Sequence, residues 1–242
     1  MKVDQLFNVA DQILDHLGTL IRNSRAPTGG PDRLRVSLYL TISEQFEAAL
    51  LLAKAQMITH SASHVRSMVE ALVAMKMLEL DNGYIDQMQY ERFRGERNVY
   101  KGIFDDPNIP AQIKEALNQK REACEFEFNT LHSAGRRPKR ISDGFGAAKL
   151  YSLVGPYSML CAFSHNDLAV LAHRHQGEVG MVYKQKNSPE LVMSIIFTAI
   201  QVVMDGTEQF GRLAKFTGIQ FYPIFEIMNK GWCVLLDASI EE

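Results

Sequence analysis

Apolar residues recur at three- and four-residue spacing along nearly all of this 242-residue chain, and that period specifies helices rather than strands. Leu6, Val9, Ile13, Leu17 and Leu20 make one stripe over Val3 to Ile21. Val65, Met68, Val69, Leu72, Val73, Met75 and Leu78 make another, on a helix running to about Leu80 with Ser61 or Ser63 as its cap. Between the two, Leu34 to Met57 is rich in Ala and Leu, after a loop broken by Pro27, Gly29, Gly30 and Pro31. Tyr84 to Ile103 carries charges of both signs and reads as a solvent-facing helix. Pro110 then opens a helix from Ala111 to Leu131.

The second half continues in the same way. Asp143 is placed to cap a helix that runs, kinked near Gly155-Pro156, to about Ser164, and residues 166 to 175 add a further turn or two. Ser188-Pro189-Glu190 has the cap, the proline and the acid that start a helix, here one reaching about Phe216. Val179, Met181 and Tyr183 alternate, which suits a short strand or an extended lid. No internal repeat and no series of strands occurs. The expected fold is therefore all-α: a single-domain multi-helix bundle over 1–242, with a short extended segment near 178–185 and a C-terminal tail, 219–242, packed on the body.

Hydrophobic content of 46% with 22% charged residues suffices for a core, and a net charge of −2 gives no general footprint for nucleic acid or an anionic membrane. Cys124, Cys161 and Cys233 have no metal or redox spacing and read as reduced thiols. The most apolar run, Leu191 to Met204, is 14 residues long and closed by Asp205, whereas a bilayer span takes about 20. A cytoplasmic protein with no membrane partner is expected.

Several chemistries are excluded by spacing. No Glu stands three before a His, so the paired-helix di-iron motif is missing. His60 and His64 are one turn apart without the Glu of a zinc protease. His165, Asp167, His173, His175 and Glu178 are ligand types in a spacing that matches no known site, so neither metal nor cofactor is expected. No phosphate loop, dinucleotide glycine motif or serine elbow occurs. Arg136, Arg137, Lys139 and Arg140 crowd one loop; phosphate contact is open to them, but no aromatic residue is interleaved and a solvated loop is favoured.

Two places put polar side chains against apolar helices. Arg66 and Glu70 are four apart among Val65, Met68, Val69, Leu72 and Val73, so they meet on one face. They serve either as an ion pair locking two helices or as a pocket floor. Downstream, Tyr151 to Phe163 ends in Ser164, His165, Asn166 and Asp167. The Arg66-x-x-x-Glu70 helix, the polar helix with Tyr84 and Tyr90, and Tyr157 followed by Ser164-His165 resemble a bacterial helical family, the domain of unknown function 5677, over roughly 35–175. The resemblance implies an all-helical protein of unassigned activity and singles out Arg66, Glu70, Tyr157, Ser164 and His165 as the candidate pocket.

Two functions follow as expectations. One is a binding or interaction module with a polar pocket around Arg66, Glu70 and His165, taking a small molecule or protein partner and compatible with a homodimer. The alternative is a hydrolase or nuclease of a bacterial defence or toxin system, using His165 with Glu70 or Asp167. They differ in geometry: convergence of these groups on an open cleft favours the enzyme, and their closure on one another favours the module.

Overall fold

A computed structural model describes residues 2–165 and 168–240, which form ten α-helices and one two-stranded sheet. The fold is all-α, as the periodicity predicts. Its residues gather into two compact units: residues 1–77 with 144–242, and residues 78–143.

In the larger unit, α1 (Val3–Arg22) buries Leu6, Ala10, Ile13, Leu17 and Leu20. Ala10 takes the place expected of Val9, which stands half-buried near Gly231. α2 (Gly30–Lys54) begins at a glycine with φ of 73°, a left-handed conformation that a side chain would strain. α3 (Ile58–Leu80) buries all seven residues of its predicted stripe, each worth about 1.5–3 kcal/mol relative to exposure. Ser61 and Ser63 do not cap it. The helix starts earlier, at Ile58, and both hydroxyls bond carbonyls within its first turns, Ser61 to Ile58 and Ser63 to His60, each at 2.8 Å.

The predicted kinked helix ending at Ser164 is instead a set of short pieces. α6 (Gly144–Ala147) stops at a turn in which Lys149 has φ of 56°. After a 3-10 turn, α7 (Val154–Ser164) begins afresh, so Gly155-Pro156 lies in its first turn and not at a bend. Proline is tolerated there because its missing N–H has no helical partner in any case. α8 (Leu168–His175) ends in a reversal: Val182 N donates to His175 O at 2.8 Å, and Gln176 bridges Met181. The segment near 178–185 is thus a turn folded against the end of α8, with Val179, Met181 and Tyr183 exposed.

α9 (Pro189–Leu213) opens as expected, with Ser188 Oγ accepting from Leu191 N at 3.3 Å. It ends three residues early because β2 (Lys215–Phe216) leaves the helix to pair antiparallel with β1 (Ser24–Arg25). α10 (Phe221–Ile240) is the predicted tail and packs on α1 and α9. α2 and α9 pack together through Tyr39 and Phe210, stacked at 4.2 Å. By length and composition these two helices are also able to cross a membrane, although 44% and 56% of the respective apolar stretches are buried within the fold.

The smaller unit is a hairpin of α4 (Tyr84–Asp105) and α5 (Ala111–Ser133). Tyr90, Phe128 and His132 stack at its centre, with Tyr90 Oη 3.2 Å from His132 Nδ1. The basic loop is tied to α4: Arg136 pairs with Asp86 at 3.1 Å, Gln87 donates to the Arg137 carbonyl, and Glu91 accepts from Lys139 N. Asp143 accepts from Arg140 N at 3.0 Å and so closes this loop in a 3-10 turn; it does not start a long helix.

Candidate functional site

α3 and α7 bring three of the five predicted residues together. Arg66 Nε donates to Glu70 Oε1 at 2.9 Å, one helical turn away. Tyr157 Oη donates to the same oxygen at 3.0 Å. The Arg66 guanidinium carbon lies 6.0 Å from the centre of the Tyr157 ring, at the limit of a cation–π contact. About a third of the Arg66 and Glu70 side chains stays exposed.

The charges of this cluster support one another. Burial raises the Tyr157 phenol well above its ordinary value, and the adjacent Glu70 carboxylate adds to the shift. The phenol therefore stays protonated and donates. Burial works against the Arg66 charge, but Tyr157, Glu70 and Cys161 outweigh it and hold the guanidinium more firmly protonated than usual. Phe145 packs against the Tyr157 ring at 5.3 Å. Gly144 lets α6 approach α3 closely, since a Cβ there would stand 2.7 Å from Val73 Cγ1.

The other two predicted residues do not join the cluster. Ser164 Oγ bonds the Leu160 carbonyl of its own helix at 2.9 Å. His165 ends α7 with its side chain exposed, and among the described residues no hydrogen bond or ion pair links it to Arg66, Glu70 or Tyr157. Asp167 lies outside the described residues. Nor do His60 and His64 act as a pair: His64 Nδ1 is 2.6 Å from Gln45 Oε1 on α2, while His60 Nδ1 faces Thr59 Oγ1 at 3.4 Å. Among the described residues no three His, Cys, Asp or Glu side chains are grouped to hold a metal ion.

A cleft of about 220 Å³ opens elsewhere in the larger unit, where the α2–α3 turn meets the end of α8. Its basic lining comes from His60, Arg174, His175 and Lys184, with Thr59 and Asn187 among the neutral donors. Arg174 holds the walls together: Nε donates to Thr59 Oγ1 at 3.1 Å, and Nη2 to the carbonyls of Thr59 and Phe163 at 3.2 and 2.8 Å. Partial burial, followed by the charges of Arg174 and His175, pushes the His60 imidazole below its ordinary range.

The profile of a family described as a family of unknown function, DUF5677, matches residues 32–181. The chain belongs to that family. No curated protein and no solved structure matches it. The DUF5677 region contains Arg66, Glu70, Tyr157, Ser164 and His165, and it begins and ends within a few residues of the 35–175 expected. It also contains Thr59, His60, Arg174 and His175, while Lys184 and Asn187 stand just beyond its end.

Sequence reading passes over most of the cleft, because its two sides are more than a hundred residues apart in the chain. One local signal does exist. Between 173 and 186 the chain places His173, Arg174, His175, Lys184 and Lys186 against the single acid Glu178.

Proposed function

We propose that this protein is a binding module and not a hydrolase or nuclease. One observation carries the reading: Arg66 and Tyr157 close on a single oxygen of Glu70, and His165 stands apart from them. A general base must reach the proton it removes, directly or through one water. Here the carboxylate is already bonded to two donors, and the phenol is held protonated by burial and by Glu70. Such a cluster clamps α7 to α3. By fixing α7, it also steadies the Phe163 carbonyl that Arg174 grips at the cleft.

The test is turnover. The purified chain, His165→Ala and Glu70→Gln are incubated with single-stranded RNA, an activated phosphodiester and an activated ester. The binding-module reading expects all three proteins to match the buffer blank. Turnover that His165→Ala or Glu70→Gln abolishes while the variant stays folded supports the hydrolase reading instead.

A further inference from the structure

The cleft at the end of α8 has the donors of an oxyanion site. Thr59 Oγ1 accepts from Arg174 Nε at 3.1 Å and lies 3.4 Å from His60 Nδ1. Where the Thr59 hydroxyl donates to Nδ1, neutral His60 carries its proton on Nε2. His175 Nδ1 lies 3.2 Å from the Val182 carbonyl. A carbonyl only accepts, so Nδ1 holds the proton, and Nε2 becomes a donor when the ring is charged.

Three further features point to a ligand. Among the described residues no Asp or Glu lines this cleft, although Arg174, Lys184, His60 and His175 all do; basic groups so gathered favour an anion among them. Gln56 and Lys184, both lining it, have φ of 61° and 56°. Left-handed backbone at residues other than glycine costs energy, and it concentrates at functional sites. Gln185 Oε1, also in the lining, is buried without a hydrogen-bond partner among the described residues. A buried acceptor of this kind calls for a donor.

We propose that this cleft binds a small phosphomonoester, its phosphoryl oxygens held by Lys184, His60 and His175 beside the Arg174 guanidinium and a hydroxyl of its carbon skeleton donating to Gln185 Oε1. Donors from three side chains suit the three oxygens of a phosphoryl group better than the two of a carboxylate. The volume of about 220 Å³ is below the roughly 300–1,000 Å³ of sites for drug-sized ligands, which suits a phosphate on a short skeleton. The bound dianion offsets the burial and the Arg174 charge that disfavour protonated His60, and His175 Nε2 donates to it only from a charged ring, so binding takes up protons and tightens as pH falls. This assignment rests on the binding-module reading and names the ligand class of that module.

Calorimetric titration of the full chain with inorganic phosphate and with glycerol 3-phosphate, at about pH 6 and about pH 8, brackets the histidine range and tests the assignment. Saturable binding is expected, tighter for glycerol 3-phosphate and tighter at the lower pH. Lys184→Ala should weaken it roughly tenfold, the scale of one charge-assisted contact. Lys184→Gly, which relieves the left-handed backbone, should weaken it similarly and so separates loss of charge from loss of fold. His60→Gln should reduce the pH dependence, and Gln185→Leu should remove the preference for the glycerol ester.

Absence of saturable binding by either probe overturns the proposal, as does binding that Lys184→Ala and His60→Gln leave unchanged. Capture only by phosphatidic acid vesicles or by an RNA oligonucleotide, with no response to glycerol 3-phosphate, also overturns it. These outcomes are read without turnover. A chain that cleaves a substrate yet binds glycerol 3-phosphate as described overturns the module reading alone.

Discussion

Tyr157 on α7 donates its hydroxyl to Glu70 on α3 across 3.0 Å, joining two helices that are far apart in the chain. Glu70 Oε1 takes that bond together with one from Arg66. Removing the Tyr157 hydroxyl therefore leaves Glu70 partly satisfied, whereas removing Glu70 strands two donors. Tyr157→Phe is expected to cost about 1 kcal/mol, and Glu70→Ala more, with part of the loss screened by the exposed third of the pair. Urea denaturation reads both; a Glu70→Ala loss smaller than that of Tyr157→Phe contradicts the shared-oxygen geometry.

Asp205 gives a pH-dependent prediction. Burial raises its carboxyl from 3.8 to about 6, with Lys76 opposing the shift. The native state thus prefers the protonated form. That preference is fully present below the unfolded value near 4, and it is lost as pH rises through about 6. Asp205→Asn is expected to match the wild type at about pH 4 and to exceed its stability by about 3 kcal/mol at neutral pH. Thermal melts across this range decide it, and a difference that does not grow with pH refutes the assignment.

Gly211 on α9 faces the ring of Phe221, the first residue of α10. A Cβ there would stand 2.2 Å from the ring. Phe221 is itself buried against Phe216 and Phe225, so the ring has little room to move. Gly211→Ala is expected to destabilise by about 1–3 kcal/mol through overpacking, despite the better helix propensity of alanine. Gly206→Ala meets nearest atoms at 3.4 and 3.5 Å and should cost clearly less. Equal melting temperatures for the two variants contradict this account.

Ser188 caps α9 through its bond to Leu191 N. Ser188→Ala is expected to cost about 1 kcal/mol and Ser188→Asp almost nothing, because aspartate also accepts from the first-turn amides. Chemical denaturation of the two variants checks the order.

What sequence makes legible here depends on the distance over which each feature is decided. The buried face of α3 and the cap at Ser188 follow from residues within a few turns of one another, and both are read correctly. The Arg66–Glu70 contact is local as well. Tyr157 joins it through tertiary packing, and only the family resemblance places that residue with the pair. The start of α3 is misjudged because a tight turn, with Gln56 at φ of 61°, brings the helix in before either serine. The early end of α9 depends on β1, nearly two hundred residues upstream. The cleft is hardest of all, since Thr59 and His60 meet Arg174 and Lys184 only once the chain has folded.

The most direct test of the account follows the histidine side chains by nuclear magnetic resonance as glycerol 3-phosphate is added to the full chain. The account predicts saturable shifts of the His60 and His175 imidazole signals, with His60 taking up a proton, while the His165 signal stays in place. Shifts at His165 with His60 and His175 unmoved would contradict it and return the search to the end of α7.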